Sequence, residues 1–189
     1  MKTFVEIGTC DFWTLRHLCD DGWRGVMVEP HKPFLDSIPD HPNLIKVNKA
    51  MDITSGIATY TKIKDSDMFD DPDYEPYGIN LYRGMGTIYH GNVLHVSDIY
   101  KGHLESYQVP TITFDDLMEE LGIKTIDYLK IDTEGSDFPI FESIDFNKYK
   151  INVLKMETGY CDPDVVADIL YDLGYHTEFF ENDVMSFKL

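Results

Sequence analysis

Residues 126–137 read IDYLKIDTEGSD, and the fold is decided by how this stretch is read. Its first half is a short run rich in β-branched and aromatic side chains, the composition of a fully buried central strand. Its second half sets Asp132 and Glu134 where that strand should end, followed by Gly135 and a new helical pattern. In open α/β sheets, ligands sit outside the carboxyl ends of the strands, where strand order reverses. Two carboxylates leaving one strand end therefore mark the expected edge of a site. The plainer alternative is a pair of solvated acids in a strand–helix loop.

Upstream, strands and helices alternate. Residues 3–7 are apolar and β-prone and run into Gly8-Thr9-Cys10-Asp11. From there Phe12, Leu15, Leu18 and Cys19 fall on one helical face, with Asp11 to cap it and Gly22 to stop it. Residues 24–29 form the second strand, Pro33 opens a short helix carrying Phe34, Leu35 and Ile38, and residues 44–48 form the third strand. This order predicts a right-handed, doubly wound half with parallel strands. Gly8 lets a ligand approach the backbone, and Glu29 follows it at about the 20-residue spacing of an acid that receives ribose hydroxyls. Cys10 and Trp13 stand where G-x-G-x-x-G needs its later glycines. A pyrophosphate is thereby disfavoured, while a ribose without one, as in S-adenosylmethionine, stays open.

Residues 52–63 read as a hairpin folded at Ser55-Gly56. Residues 64–107 lack periodicity and carry an acidic run, several tyrosines (Tyr77, Tyr82, Tyr89) and His90 and His95. They are expected to form an insertion or lid on the acceptor side. Beyond it, residues 109–113 are extended, and residues 114–121 are helical, with Thr113 and Asp116 at the cap and Gly122 at the close. After the opening stretch come a helix marked by Phe138, Phe141 and Ile144 and a strand over 152–156 ending at Glu157. A helix capped by Asp162 follows, then a closing antiparallel hairpin over 175–187. The expected architecture is a Rossmann-like, mostly parallel α/β sheet with a C-terminal antiparallel hairpin strand, one domain over residues 1–189.

Composition narrows the function classes. The 189 residues are 43% hydrophobic, enough for a sizeable core, and the net charge of −18 argues against nucleic acid or an anionic membrane as partner. Three widely spaced cysteines without a C-x-x-C pair suggest reduced thiols and a cytoplasmic location.

FVEIGTCDF, VMVEP, VNKAMDITSG, VPTITFDDLMEELG and IDYLKIDTEGSDFPIFESIDF together resemble the FkbM family of methyltransferases over nearly the whole chain, LKIDTEG being the most specific part. The resemblance implies a class I methyltransferase fold, S-adenosylmethionine as donor, and O-methylation of a sugar or natural-product hydroxyl, so a small-molecule or carbohydrate acceptor. It assigns Glu6, Gly8, Thr9 and Cys10 to the first cofactor motif, Glu29 and Pro30 to the ribose, and Asn48, Lys49, Ala50 and Met51 to the adenine flank. Asp132 and Glu134 match the acidic pair beside the methionine end. Phe12 departs from the pattern, since the family often has glycine there, and its bulk is expected to narrow the methionine pocket.

An alcohol acceptor needs a base within hydrogen-bond reach. Asp132 and Glu134 can hold the donor's ammonium group or accept the proton, and Glu157 is the third acid able to reach the crevice. His90 and His95 are alternative bases, and Lys130 is expected to pair with an acid. Three carboxylates could also bind Mg²⁺, a metal the resemblance does not require. Two other readings stay open. One is a cofactor-binding module without turnover, suggested by Phe12 and by a chain that begins at its first strand. The other is a nicotinamide-dependent oxidoreductase, suggested by Glu29.

Overall fold

A computed structural model describes residues 1–64, 84–88 and 102–189. In chain order the elements are β1 (Thr3–Ile7), β2 (Arg24–Val28), α1 (Lys32–Ser37), β3 (Leu44–Val47), β4 (Ala50–Met51), β5 (Gly56–Ile63), β6 (Leu104–Ile112), α2 (Phe114–Leu121), β7 (Thr125–Ile126), β8 (Tyr128–Ile131), α3 (Asp137–Glu142), β9 (Lys150–Ile151), β10 (Val153–Glu157), α4 (Pro163–Asp172), β11 (Tyr175–Phe180) and β12 (Asp183–Lys188).

The main sheet has the order β11-β12-β10-β8-β1-β2-β3. β1, β2, β3, β8 and β10 run parallel, while β12 is antiparallel to both β10 and β11. The chain moves outward from β1 to β3 and then returns to the other side of β1 through β8. Strand order therefore reverses between β1 and β8, with Ile7 opposite Ile131. This is the doubly wound, mostly parallel architecture with an inserted antiparallel strand that the element order predicts. Every residue of β1 is buried, as a strand covered on both faces requires. The larger core cluster joins Val5, Ile7, Leu129, Ile131 and Met156 to Phe114, Phe141 and Leu170 of the helices. The opposite face packs Phe4 and Met27 against Leu15, Cys19, Leu35 and Ile38.

Local signals at α2 and α4 hold as read. Thr113 Oγ1 accepts from the Asp116 N–H, and Gly122 ends α2 at φ +65°. Asp162 accepts from the Asp164 N–H ahead of Pro163. The three cysteines are free thiols.

Three expectations are corrected. Residues 12–19 do not form a regular helix, only one 3₁₀ turn over Arg16–Cys19. The buried Glu6 carboxylate accepts from the Thr14 hydroxyl and the Leu15 N–H, so these groups bond to the sheet instead of to a helix. Residues 52–63 are not a hairpin. β5 pairs over its whole length with β6, from Gly56↔Thr111 to Ile63↔Leu104, and Ser55 accepts from the Thr113 N–H at the start of α2. β6 thus begins at Leu104, inside the expected lid. Of that lid, His90, His95, Tyr77, Tyr82 and Tyr89 lie outside the described residues. Among the described residues, no helix is long and apolar enough to cross a membrane.

Gly25 of β2 provides a test of core packing. A Cβ there would lie 2.4 Å from Phe4 Cζ and 2.9 Å from Leu44 Cδ1. Gly25→Ala is expected to destabilise the chain by about 1–3 kcal/mol through overpacking. Urea unfolding measures it, and an unchanged midpoint would show that the Phe4 ring relaxes freely.

Candidate active site

The turn after β1 is built by close backbone approach. Gly8 has φ +76°, and a Cβ on it would lie 1.7 Å from the Asp132 carbonyl oxygen. Its N–H donates to Val28 O at 3.0 Å, tying the turn to β2. Among the described residues, the non-glycine positions with positive φ are Cys10 (+50°), Trp13 (+38°) and Glu134 (+57°), on the loops leaving β1 and β8. Such backbone is uncommon outside glycine and clusters at functional sites.

A pocket opens at these strand ends. Gly8, Cys10, Glu29, Pro30, Ala50, Met51 and Asp132 border it, as do Phe34, Tyr60, Thr87 and Ile88. The Glu29 carboxylate is 3% exposed and accepts from the Cys10 N–H at 2.9 Å and the His31 N–H at 2.8 Å. Burial pushes its pKa up to about 7 against the pull of these two N–H groups. Burial likewise pushes the Cys10 thiol far up, so it is a neutral wall.

The remaining cofactor candidates stand elsewhere. Glu6 is fully buried beneath the turn, and its third neighbour is Lys130 Nζ at 3.4 Å. Thr9 is buried, with a hydroxyl that has no partner among the described residues. Asn48 donates to the carbonyls of Glu29 and Pro30, both at 2.9 Å, and so braces their loop. Lys49 faces Glu120 at 4.0 Å. Phe12 is 44% exposed and is not itself in the pocket lining, while a Cβ on the lining residue Gly84 would lie 3.4 Å from its ring.

Beside the pocket, Asp132, Glu134 and Glu157 each bring a carboxylate oxygen within 4.8 Å of the others. Lys130 pairs with Asp132 at 3.1 Å, as expected of it. Tyr160 donates to Glu134 at 3.1 Å. Burial first, and then the Asp132 charge, pushes Glu134 up to about 7. Burial and the Glu134 charge push Glu157 up to about 9, and one of its oxygens is buried with no hydrogen-bond partner among the described residues. His90 lies outside the described residues.

Asp137, Tyr60 and Tyr160 were not singled out in the sequence. Asp137 accepts from the N–H groups of Thr133 and Gly135 at 2.7 and 2.9 Å, and so holds the loop that carries Glu134. An acid at the end of T-E-G-S-D, with a local turn to brace, was the available signal. Tyr60 and Tyr160 reach the site from β5 and from the loop after β10, and no spacing announces them.

These carboxyls imply a stability that depends on pH. Glu29, Glu134 and Glu157 hold their protons more tightly folded than unfolded, so the folded chain binds more protons and stability falls as pH rises. The contribution is complete below about pH 4.5 and is lost as pH climbs through about 7 and then about 9. Urea midpoints should fall across this window, and Glu157→Gln should flatten the upper part. A variant whose midpoint falls as steeply as the parent's would show that Glu157 is not held protonated.

The model of the methyltransferase FkbM domain matches residues 4–177. No curated protein matches the chain significantly. A solved chain from a fibrillarin/Nop5p complex is similar over 100% of this chain and 73% of its own length. At 11% identity and a TM-score of 0.43, that likeness carries no argument here. With the family model spanning the sheet from β1 to β11 and the carboxylates between them, the chain belongs to the FkbM family of methyltransferases.

Proposed function

We propose that this methyltransferase uses S-adenosylmethionine to methylate a hydroxyl of a sugar or small natural-product acceptor. The observation that supports it is one crevice at the strand reversal. There the Gly8 turn, the buried Glu29 and Asp132 border one pocket, and Asp132 also groups with the carboxylates of Glu134 and Glu157. Each Glu29 oxygen accepts one backbone N–H and keeps a lone pair for a ribose hydroxyl. Ala50, Met51, Phe34 and Ile88 offer apolar walls to an adenine. Asp132 borders both the pocket and the acid group, where it would hold the methionine ammonium. Bound, the cofactor supplies an electrophilic methyl group on a sulfonium.

What the chain contributes is placement and a base. Holding donor and acceptor in line supplies much of the rate of a displacement. Glu134, with its proton affinity raised to near neutrality, suits acceptance of the hydroxyl proton. The family assignment leaves the nicotinamide reading without support.

Calorimetry with S-adenosylmethionine, S-adenosylhomocysteine and NAD, paired with a turnover assay, tests the reading. Glu29→Ala should weaken S-adenosylhomocysteine binding by about 1.5–3 kcal/mol, the worth of a charge-assisted hydrogen bond. Equal affinity in that variant would remove Glu29 from the site.

Asp132→Asn should lose donor binding. Glu134→Gln should keep it and lower turnover by about 10²–10⁴. The parent rate should rise with pH through about 7, and the Gln variant should lack that limb. If both variants bind and turn over like the parent, the acid pair is structural. EDTA inhibition reversed by Mg²⁺ would assign the three carboxylates to a metal.

A further inference from the structure

The main sheet ends in an open edge. β11 pairs with β12 on one side, and no described residue pairs with its other side. The ladder tells which backbone groups face outward. The Leu189 N–H donates to Gly174 O at 3.1 Å, and the register then runs unbroken from Tyr175↔Lys188 to Phe180↔Asp183. Hydrogen-bonded positions alternate along an antiparallel pair. His176, Glu178 and Phe180 therefore bond inward to β12, while Tyr175, Thr177 and Phe179 turn their N–H and C=O groups to the open edge. Edge strands are commonly blunted by lysine, proline or a bulge. The strand YHTEFF has neither residue, and its unbroken register leaves no bulge. Phe179 and Phe180 are also 54% and 52% exposed.

We propose that this edge is an interface with a second copy of the chain, the two β11 strands pairing antiparallel about a two-fold axis at Thr177. The proposal does not depend on the methyl-transfer reading. In a two-fold interface the same patch faces itself, so the strand must be complementary to its own reverse. With the axis at Thr177, that residue meets Thr177 of the second copy and Tyr175 meets Phe179, so all three outward positions find hydrogen-bond partners. The same register sets His176 against Glu178 of the second copy, twice by symmetry, at the positions where side chains come closest. Both are exposed and stand 3.9 Å apart within one strand, so the two copies form an alternating His–Glu cluster. Opposite partners across a strand pair stabilise it, and like charges destabilise it. An axis at Glu178 would set that acid against itself, and an axis at His176 would do the same to the imidazole. Each of those also leaves one outward position unpaired. On the other face, Tyr175 against Phe179 is an aromatic cross-strand pair. The net charge of −18 on each copy opposes association, but at about 0.15 M salt its reach is only ~8 Å. The result is a weak dimer, of the class that buries less than about 1,200 Å².

Sedimentation velocity of the full chain over about 10–500 µM, in about 0.15 M salt, should show a reversible monomer–dimer equilibrium. Glu178→Lys and His176→Glu should each weaken it by about tenfold, since two like-charge oppositions replace two attractive ones. The exchanged double variant, His176→Glu with Glu178→Lys, should restore it. Hydrogen exchange followed by NMR reads the register. The Tyr175, Thr177 and Phe179 amides should gain protection as concentration rises, while those of His176 and Glu178, already bonded to β12, should not change. Urea midpoints of the variants separate loss of association from loss of folding, and the amide pattern of the parent decides by itself if a variant folds poorly. A monomer across the whole range, association that leaves those three amides unchanged, or a well-folded double variant no better than the single ones overturns the proposal.

Discussion

The site depends on one contact, the approach of Gly8 to the Asp132 carbonyl. No side chain fits between them, since a Cβ would stand 1.7 Å from that oxygen. The contact lies where β1 and β8 end side by side and strand order reverses. Because the two strand ends meet there, their loops splay to opposite sides and leave a crevice. The positive φ angles of Cys10, Trp13 and Glu134 are the local cost of turning both loops away so sharply. That strain is held in place by Glu6 under one loop and Asp137 under the other.

The crevice sorts its acids by environment. Glu6 is buried but has Lys130, the Thr14 hydroxyl and the Leu15 N–H, so it acts as a brace. Asp132 shares Lys130 and faces the pocket. Burial raises the proton affinity of Glu134 and Glu157. Several carboxylates in one cleft thereby acquire different tasks, which residue type alone does not assign.

The second, three-stranded sheet of β4, β5 and β6 completes the pocket wall. It brings Ala50, Met51 and Tyr60 to the pocket wall, and Tyr107 of β6 meets the His31 ring. Asn48, ahead of β4, donates to the carbonyls of Glu29 and Pro30, so this sheet and the loop after β2 are fixed together.

The order of strands and helices, the caps of α2 and α4, the C-terminal hairpin and the acids at the strand ends were legible in the sequence. Each is written in a local pattern, a period of two or near 3.6 bounded by glycine, proline or a capping side chain. Gly8, Glu29 and Asp132 were legible for the same reason, since strand ends in a doubly wound sheet fall in one place. Tertiary structure decided what local patterns cannot encode. The helical period of residues 12–19 gave way to the buried Glu6 carboxylate, which claims Thr14 and Leu15. The hairpin period of residues 52–63 gave way to a partner strand more than forty residues away. Tyr60 and Tyr160 enter the site from distant segments, because direction across a crevice depends on packing between segments.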